Sequence, residues 1–170
     1  MMASLSGLVV LAVAAALQSA IVAQIHLLHG TADLVLLTLA AWYLHEDAPA
    51  SWVWAVLAAL MVGTLSALPW WLYLAGYAFV AGFAKFLRRR LWRGTFLAYF
   101  TVVLVGSLAT QGMAFAYLRL VRNTPLVLTD AFNLVVLPSL LLNVVLALPI
   151  HSAIDEWTAW VTPAQEEVTP

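Results

Sequence analysis

The chain contains no cysteine, which excludes disulfide bonds, thiolate catalysis and thiolate metal sites. Charge is also scarce, with seven Lys and Arg, eight Asp and Glu, and a net charge of −1. Nucleic acid as a partner is disfavoured, because its binding requires a basic face. Only 9% of the residues are charged and 65% are hydrophobic, whereas about 25% of a soluble domain is charged. These scarcities, with a mean hydropathy of +0.99, predict an integral membrane protein.

Six apolar segments predict an all-α, six-helix transmembrane bundle. A bilayer core about 30 Å thick takes about 20 apolar residues per helix, so six spans and short loops use nearly the whole chain. The segments are residues 5–28, 34–44, 52–68, 70–87, 95–120 and 131–150. We expect residues 1–155 to form one polytopic membrane domain and residues 156–170 a short acidic cytoplasmic tail. The first segment lacks the basic start of a signal peptide and is interpreted as a mature helix.

Prolines and one short segment set the expected connections. Pro69 separates the third and fourth segments into a tight hairpin, because proline lacks an amide donor and breaks helices. Pro138 and Pro149 are expected to kink the last segment. The second segment, of eleven residues, covers only about 16 Å as a helix. A five-span bundle with a re-entrant second helix is therefore the alternative.

Five of the seven basic residues lie close together and predict the orientation. They are Lys85, Arg88, Arg89, Arg90 and Arg93. Since Lys and Arg collect in cytoplasmic loops, this basic cluster is expected in the cytoplasm, and the C-terminus with it. Binding of the cluster to anionic lipid headgroups is a second interpretation.

Small residues recur at helical spacing in three segments. The stripe Ala55, Ala59, Gly63 and Ala67 repeats at every fourth residue, and a similar stripe contains Ala75, Ala78 and Gly82. Gly112 and Ala116 form a shorter pair in the fifth segment. Small residues let membrane helices approach closely. The two stripes are therefore predicted either to pack within the bundle or to face a partner or a second copy.

Few polar residues fall within the apolar segments. They are Gln18, Gln24, Thr38, Gln111, Asn133 and Asn143. Such side chains usually form hydrogen bonds between helices. The alternative is a substrate cavity near His26, His29, Asp33 and Trp70, which would be lined by polar residues of the same types. No G-x-S-x-G or H-E-x-x-H motif occurs. We therefore expect no catalysis, no cofactor and no metal site.

Several stretches together resemble the rod shape-determining protein family MreD of bacterial inner membranes. They are Leu17-Gln18-Ser19, Ala32-Asp33-Leu34-Val35-Leu36-Leu37, Leu65-Ser66-Ala67-Leu68-Pro69, Leu87-Arg88-Arg89-Arg90-Leu91-Trp92, and the last segment from Pro138 to Pro149. The chain departs from the family at Gly63, where family members often have aspartate.

The resemblance implies a fold similar to the membrane-embedded substrate-binding components of energy-coupling-factor vitamin transporters. It also implies a non-enzymatic scaffold of the cell-elongation machinery that binds MreC. Through MreC it would join the RodA glycosyltransferase and its class B penicillin-binding protein, with the MreB filament on the cytoplasmic side and membrane lipids around it. A substrate-binding component of a vitamin transporter is the alternative function.

Overall fold

The computed structural model describes residues 2–20, 29–45, 52–90, 95–125 and 127–161. Within these ranges the protein has six helices and no β-strand. The first five are α1 (Met2–Ala20), α2 (Leu34–Leu44), α3 (Val53–Leu65), α4 (Trp70–Arg90) and α5 (Thr95–Leu120). The sixth, α6, joins an α-helical turn at Leu128–Ala131, a π-helical turn at Phe132–Val136 and a long α-helix at Leu137–Val161.

Three described helices are long and apolar enough to cross a membrane. They are Trp70–Arg90, Phe96–Leu120 and Leu128–Thr158. Three shorter apolar helices accompany them, at Gly7–Ala20, Leu34–Leu44 and Val53–Leu65. The prediction of an all-α chain with helices suited to a membrane is therefore confirmed. Residues 21–28, which the first predicted segment includes, lie outside the described residues.

The shortest predicted segment, α2, forms the centre of the bundle. Every residue of α2 is buried, and α2 contacts all five other helices. The reason is its composition, because a helix that is apolar all round favours burial on every side. The core continues from α2 into α4 and α5 through the buried residues Tyr77, Val80 and Tyr99.

The hairpin between α3 and α4 turns at Pro69, as the sequence predicts. The Ser66 hydroxyl lies 2.6 Å from the Tyr73 hydroxyl, which ties the turn to the first part of α4. Gly63 permits the close approach of the two helices, because a Cβ atom there would lie 2.6 Å from the Cβ of Trp70. The small residue therefore fixes the packing of α3 on α4.

Helix α6 accommodates its two prolines in different ways. The π-helical turn at Phe132–Val136 ends just before Pro138, which is consistent with the missing amide hydrogen of proline. Pro149 lies inside the continuous α-helix. That helix continues to Val161, well past residue 150 where the sequence predicted its end, and its late residues Ile154 and Thr158 are buried.

An extended segment, residues 29–33, lies against α6 and leads into α2. In an α-helix the Leu134 carbonyl would accept from the amide of residue 138, but residue 138 is proline. The His29 amide donates to that carbonyl instead, at 3.0 Å. The Thr31 amide then donates to the Ser139 hydroxyl at 3.1 Å. Because alternate amides of an extended chain point the same way, one edge of this segment is bound to α6.

Gly30 lies at a close approach of the extended segment to α6. A Cβ atom there would lie 2.6 Å from the Ser139 nitrogen and 2.7 Å from the Pro138 Cβ. Gly112 is the matched control, because a Cβ there would meet nothing within 4 Å.

We expect Gly30→Ala to lower the free energy of unfolding by about 1–3 kcal/mol, as overpacking does. Gly112→Ala should instead raise it by up to about 1 kcal/mol, through helix propensity. Denaturant unfolding in detergent measures both variants. Equal effects of the two substitutions would contradict the packing described here.

Candidate functional site: a polar cluster at the start of α2

Asp33 is the N-cap of α2 and the centre of the polar cluster. Its Oδ1 atom accepts from the Leu36 amide at 2.9 Å, which satisfies one of the free amides of the first helical turn. The buried Tyr77 of α4 donates its hydroxyl to the same carboxylate, at 3.1 Å from Oδ1 and 3.0 Å from Oδ2. The carboxylate therefore connects the start of α2 to α4.

Gln18, near the end of α1, completes the cap. Its Oε1 atom accepts from the Val35 amide at 3.1 Å. Two amides of the first turn of α2 are thus bound by side chains from outside that helix. Since an unpaired buried amide costs about 1–3 kcal/mol, these contacts stabilise the central helix directly.

Asn143 of α6 joins the cluster to the other side of the bundle. Its Oδ1 atom accepts from the Asp33 amide at 2.8 Å, and its Nδ2 atom donates to the Ser107 hydroxyl of α5, also at 2.8 Å. Both Asn143 and Ser107 are buried. The polar cluster, defined as Gln18, Asp33, Tyr77, Ser107 and Asn143, therefore links α1, α2, α4, α5 and α6.

A cavity of about 240 Å³ lies beside the polar cluster. Asp33 and Gln18 form part of its wall, and Thr31, Tyr73, Thr110 and Gln111 add further polar side chains. Ligand pockets commonly measure about 300–1,000 Å³, so this one is small. We refer to it as the polar cavity.

The opposite end of α2 is capped by the basic cluster. The Arg88 guanidinium donates Nη1 to the His45 carbonyl at 3.1 Å and reaches the Tyr43 carbonyl at 3.5 Å. A cation at a helix C-terminus also interacts favourably with the helix dipole. Asp33 and Arg88 therefore hold the two ends of α2 with charges of opposite sign.

The other members of the basic cluster have different surroundings. The Lys85 ammonium lies 4.5 Å from the ring centre of Trp52 and 5.3 Å from that of Tyr43, within the range of cation–π attraction. Arg89 and Arg90 are exposed, and Arg93 lies outside the described residues.

The two small-residue stripes are divided between buried and exposed positions. Ala55 and Ala59 are buried in the core, and Gly63 packs against Trp70. The other members lie further out: Ala67 and Ala75 are exposed, and Ala78 and Gly82 are partly buried. In α4 a close approach to α5 occurs at Gly76, where a Cβ atom would lie 2.6 Å from Cγ2 of Thr110.

The polar residues selected from the sequence have several locations. Gln18 and Asn143 belong to the polar cluster, Gln111 lines the polar cavity and Thr38 is buried in α2. Asn133 is exposed, as is His29, and Gln24 and His26 fall outside the described residues. Sequence reasoning missed Tyr77 and Ser107, whose only signal is a hydroxyl inside an apolar helix. No group of three potential metal ligands occurs in the described part of the chain.

Substitution of Asp33 tests whether its oxygen atoms or its charge stabilise the bundle. Asp33→Ala removes the cap and leaves the buried Tyr77 hydroxyl without its acceptor, so we expect a loss of more than about 2 kcal/mol of unfolding free energy. Asn is as good an N-cap as Asp, and Asp33→Asn should cost less than about 1 kcal/mol.

The matched control is Asp130→Ala, which removes an exposed carboxylate in the first turn of α6. Its effect should stay within about 1 kcal/mol, the usual size of a helix-dipole interaction. Denaturant unfolding of the purified proteins in detergent measures the loss of unfolding free energy for Asp33→Ala, Asp33→Asn and Asp130→Ala. A loss at Asp33→Asn as large as at Asp33→Ala would show that the charge itself is required for folding.

No protein-family model, no curated protein and no solved structure matches the chain. The function of the polar cluster is therefore inferred from its geometry. It connects five helices through hydrogen bonds that cap the central one, and it places a carboxylate in the wall of a small cavity.

Proposed function

We propose that this protein is a non-enzymatic, multi-pass membrane scaffold of the bacterial cell-elongation machinery, as its resemblance to the MreD family implies. One observation carries the structural side of the proposal. The Asp33 carboxylate, the clearest candidate for a reacting group at membrane depth, is bound to an α2 amide and to the Tyr77 hydroxyl. The polar interior therefore stabilises the bundle, as a scaffold with rigid helix faces requires.

The proposal includes a location and an orientation. We place the protein in the bacterial inner membrane with six spans, a fold similar to the substrate-binding components of energy-coupling-factor transporters, and a cytoplasmic C-terminus. The support is the basic cluster at the end of α4, where Arg89 and Arg90 are exposed, because such residues collect on the cytoplasmic side.

Reporter fusions at the two termini test this orientation. A green fluorescent protein fused after Pro170 should fluoresce, and an alkaline phosphatase fused there should be inactive, because only the cytoplasm gives that pair of results. Six spans place Met1 in the cytoplasm as well, whereas five spans with a re-entrant α2 place it outside. An active phosphatase at the C-terminus would overturn the orientation.

MreC is the partner that the scaffold should bind most directly, with RodA, the class B penicillin-binding protein and MreB joining a larger complex. Among the residues of the two small-residue stripes, Ala75 is exposed and lies on helix α4. Since small residues permit close helix contact in lipid, the α4 surface around Ala75 is where we expect a partner helix to pack.

A pull-down from native membranes in mild detergent, through a C-terminal tag, tests the partner. We expect stoichiometric recovery of MreC with the unmodified chain and with Asp33→Asn. Ala75→Phe should reduce that recovery at least about fivefold, the effect of roughly 1 kcal/mol in binding. The matched control Ala116→Phe, at an exposed alanine of α5, should leave the recovery unchanged.

A second candidate function rests on the polar cavity. A substrate-binding component of a vitamin transporter requires a pocket with convergent polar groups, and a cavity of about 240 Å³ with six polar wall residues is present. The same pull-down separates the two functions. Recovery of ATPase subunits with a coupling membrane protein, instead of MreC, would overturn the scaffold and support the transporter component.

A further inference from the structure

The polar cavity adjoins a second, apolar cavity of about 350 Å³ between α5 and α6. Phe115 and Leu118 of α5 and Leu134 of α6 line this apolar cavity. Gln111 and Ala114 line both cavities. One face of α5 is therefore a common wall, along which the surroundings change from polar to apolar.

Each of the two cavities has a carboxylate in its wall. Asp33 lines the polar cavity, His29 and Asp130 line the apolar one, and no described residue of either wall is a lysine or an arginine. Within the described ranges the Asp33 carboxylate accepts from the Leu36 amide and the Tyr77 hydroxyl, and no lysine or arginine is paired with it. Ionisable groups at membrane depth are usually paired, and a cationic group in the polar cavity would complete this pairing.

We propose that the two cavities together bind one membrane lipid whose head carries a primary ammonium group. The ammonium donates to the Asp33 carboxylate and to the neighbouring side-chain oxygens of the polar cavity, and an acyl chain lies along Ala114, Phe115 and Leu134. This proposal does not depend on the scaffold function, because a lipid in this position is compatible with either candidate function.

The dimensions and the polarity favour a lipid over a protein segment. A transmembrane helix is about 10–12 Å across with its side chains. A single turn of such a helix would occupy more space than a cavity of about 350 Å³ offers. An acyl chain is narrower, and the apolar side chains of Phe115 and Leu134 offer it a matching wall. A lipid with an anionic head would bring negative charge towards Asp33 and Asp130, which disfavours it.

Native mass spectrometry of the delipidated, full-length protein tests the proposal. The probes are phosphatidylethanolamine, which has a primary ammonium, and phosphatidylglycerol with the same acyl chains, which does not. We expect about tenfold tighter binding of phosphatidylethanolamine, since a hydrogen bond to a charged group contributes about 1.5–3 kcal/mol. Asp33→Asn keeps the N-cap but removes the charge, and it should reduce the binding of phosphatidylethanolamine to that of phosphatidylglycerol.

A second pair of variants tests the apolar part independently of Asp33. Ala114→Phe fills the wall shared by the two cavities and should abolish binding of either lipid. Ala116→Phe, on the same helix but in the wall of neither cavity, should bind both lipids as the unmodified chain does. Unfolding measurements in detergent verify that each variant is folded.

Three results would overturn the lipid site. The first is equal or tighter binding of phosphatidylglycerol, and the second is no effect of Asp33→Asn on a folded protein. The third is retention of phosphatidylethanolamine by folded Ala114→Phe; if that variant also loses a partner protein, the apolar cavity is assigned to a protein helix. Recovery of MreC is measured separately, so failure of the lipid site and failure of the scaffold are distinguishable.

Discussion

The structure depends on satisfying the backbone at both ends of a buried helix. Every residue of α2 is buried, so its first amides and last carbonyls have little access to water, and each unpaired group would cost about 1–3 kcal/mol. Asp33 and Gln18 bind amides at one end, and Arg88 binds carbonyls at the other. Residues outside α2 therefore determine whether the centre of the bundle is stable.

The same constraint explains the irregular parts of α6. Proline at position 138 leaves the Leu134 carbonyl without its usual helical donor, and the amide of His29 in the extended segment takes that position. Gly30 allows the approach, and Asn143 binds the Asp33 amide at the end of the segment. An interruption in one helix thus provides the acceptor that positions the start of another.

The polar cluster stabilises the fold and also forms part of a cavity wall. Its amide and hydroxyl groups are bound within the bundle, where they hold five helices together. The carboxylate of Asp33 nevertheless remains in the cavity wall, where none of the other described residues is basic. A residue can therefore cap a helix through its oxygen atoms and attract a cationic head through its charge, and Asp33→Asn separates these two roles.

The sequence by itself determined the membrane class, the all-helical fold and the hairpin at Pro69, because composition and proline act locally. It also selected Gln18 and Asn143 as polar residues inside apolar segments. Only the tertiary structure decided that the short α2 is central, that α6 extends to Val161, and that Tyr77 and Ser107 belong to the cluster. The physical reason is that these features depend on contacts between residues far apart in the chain, which local hydropathy and spacing do not encode.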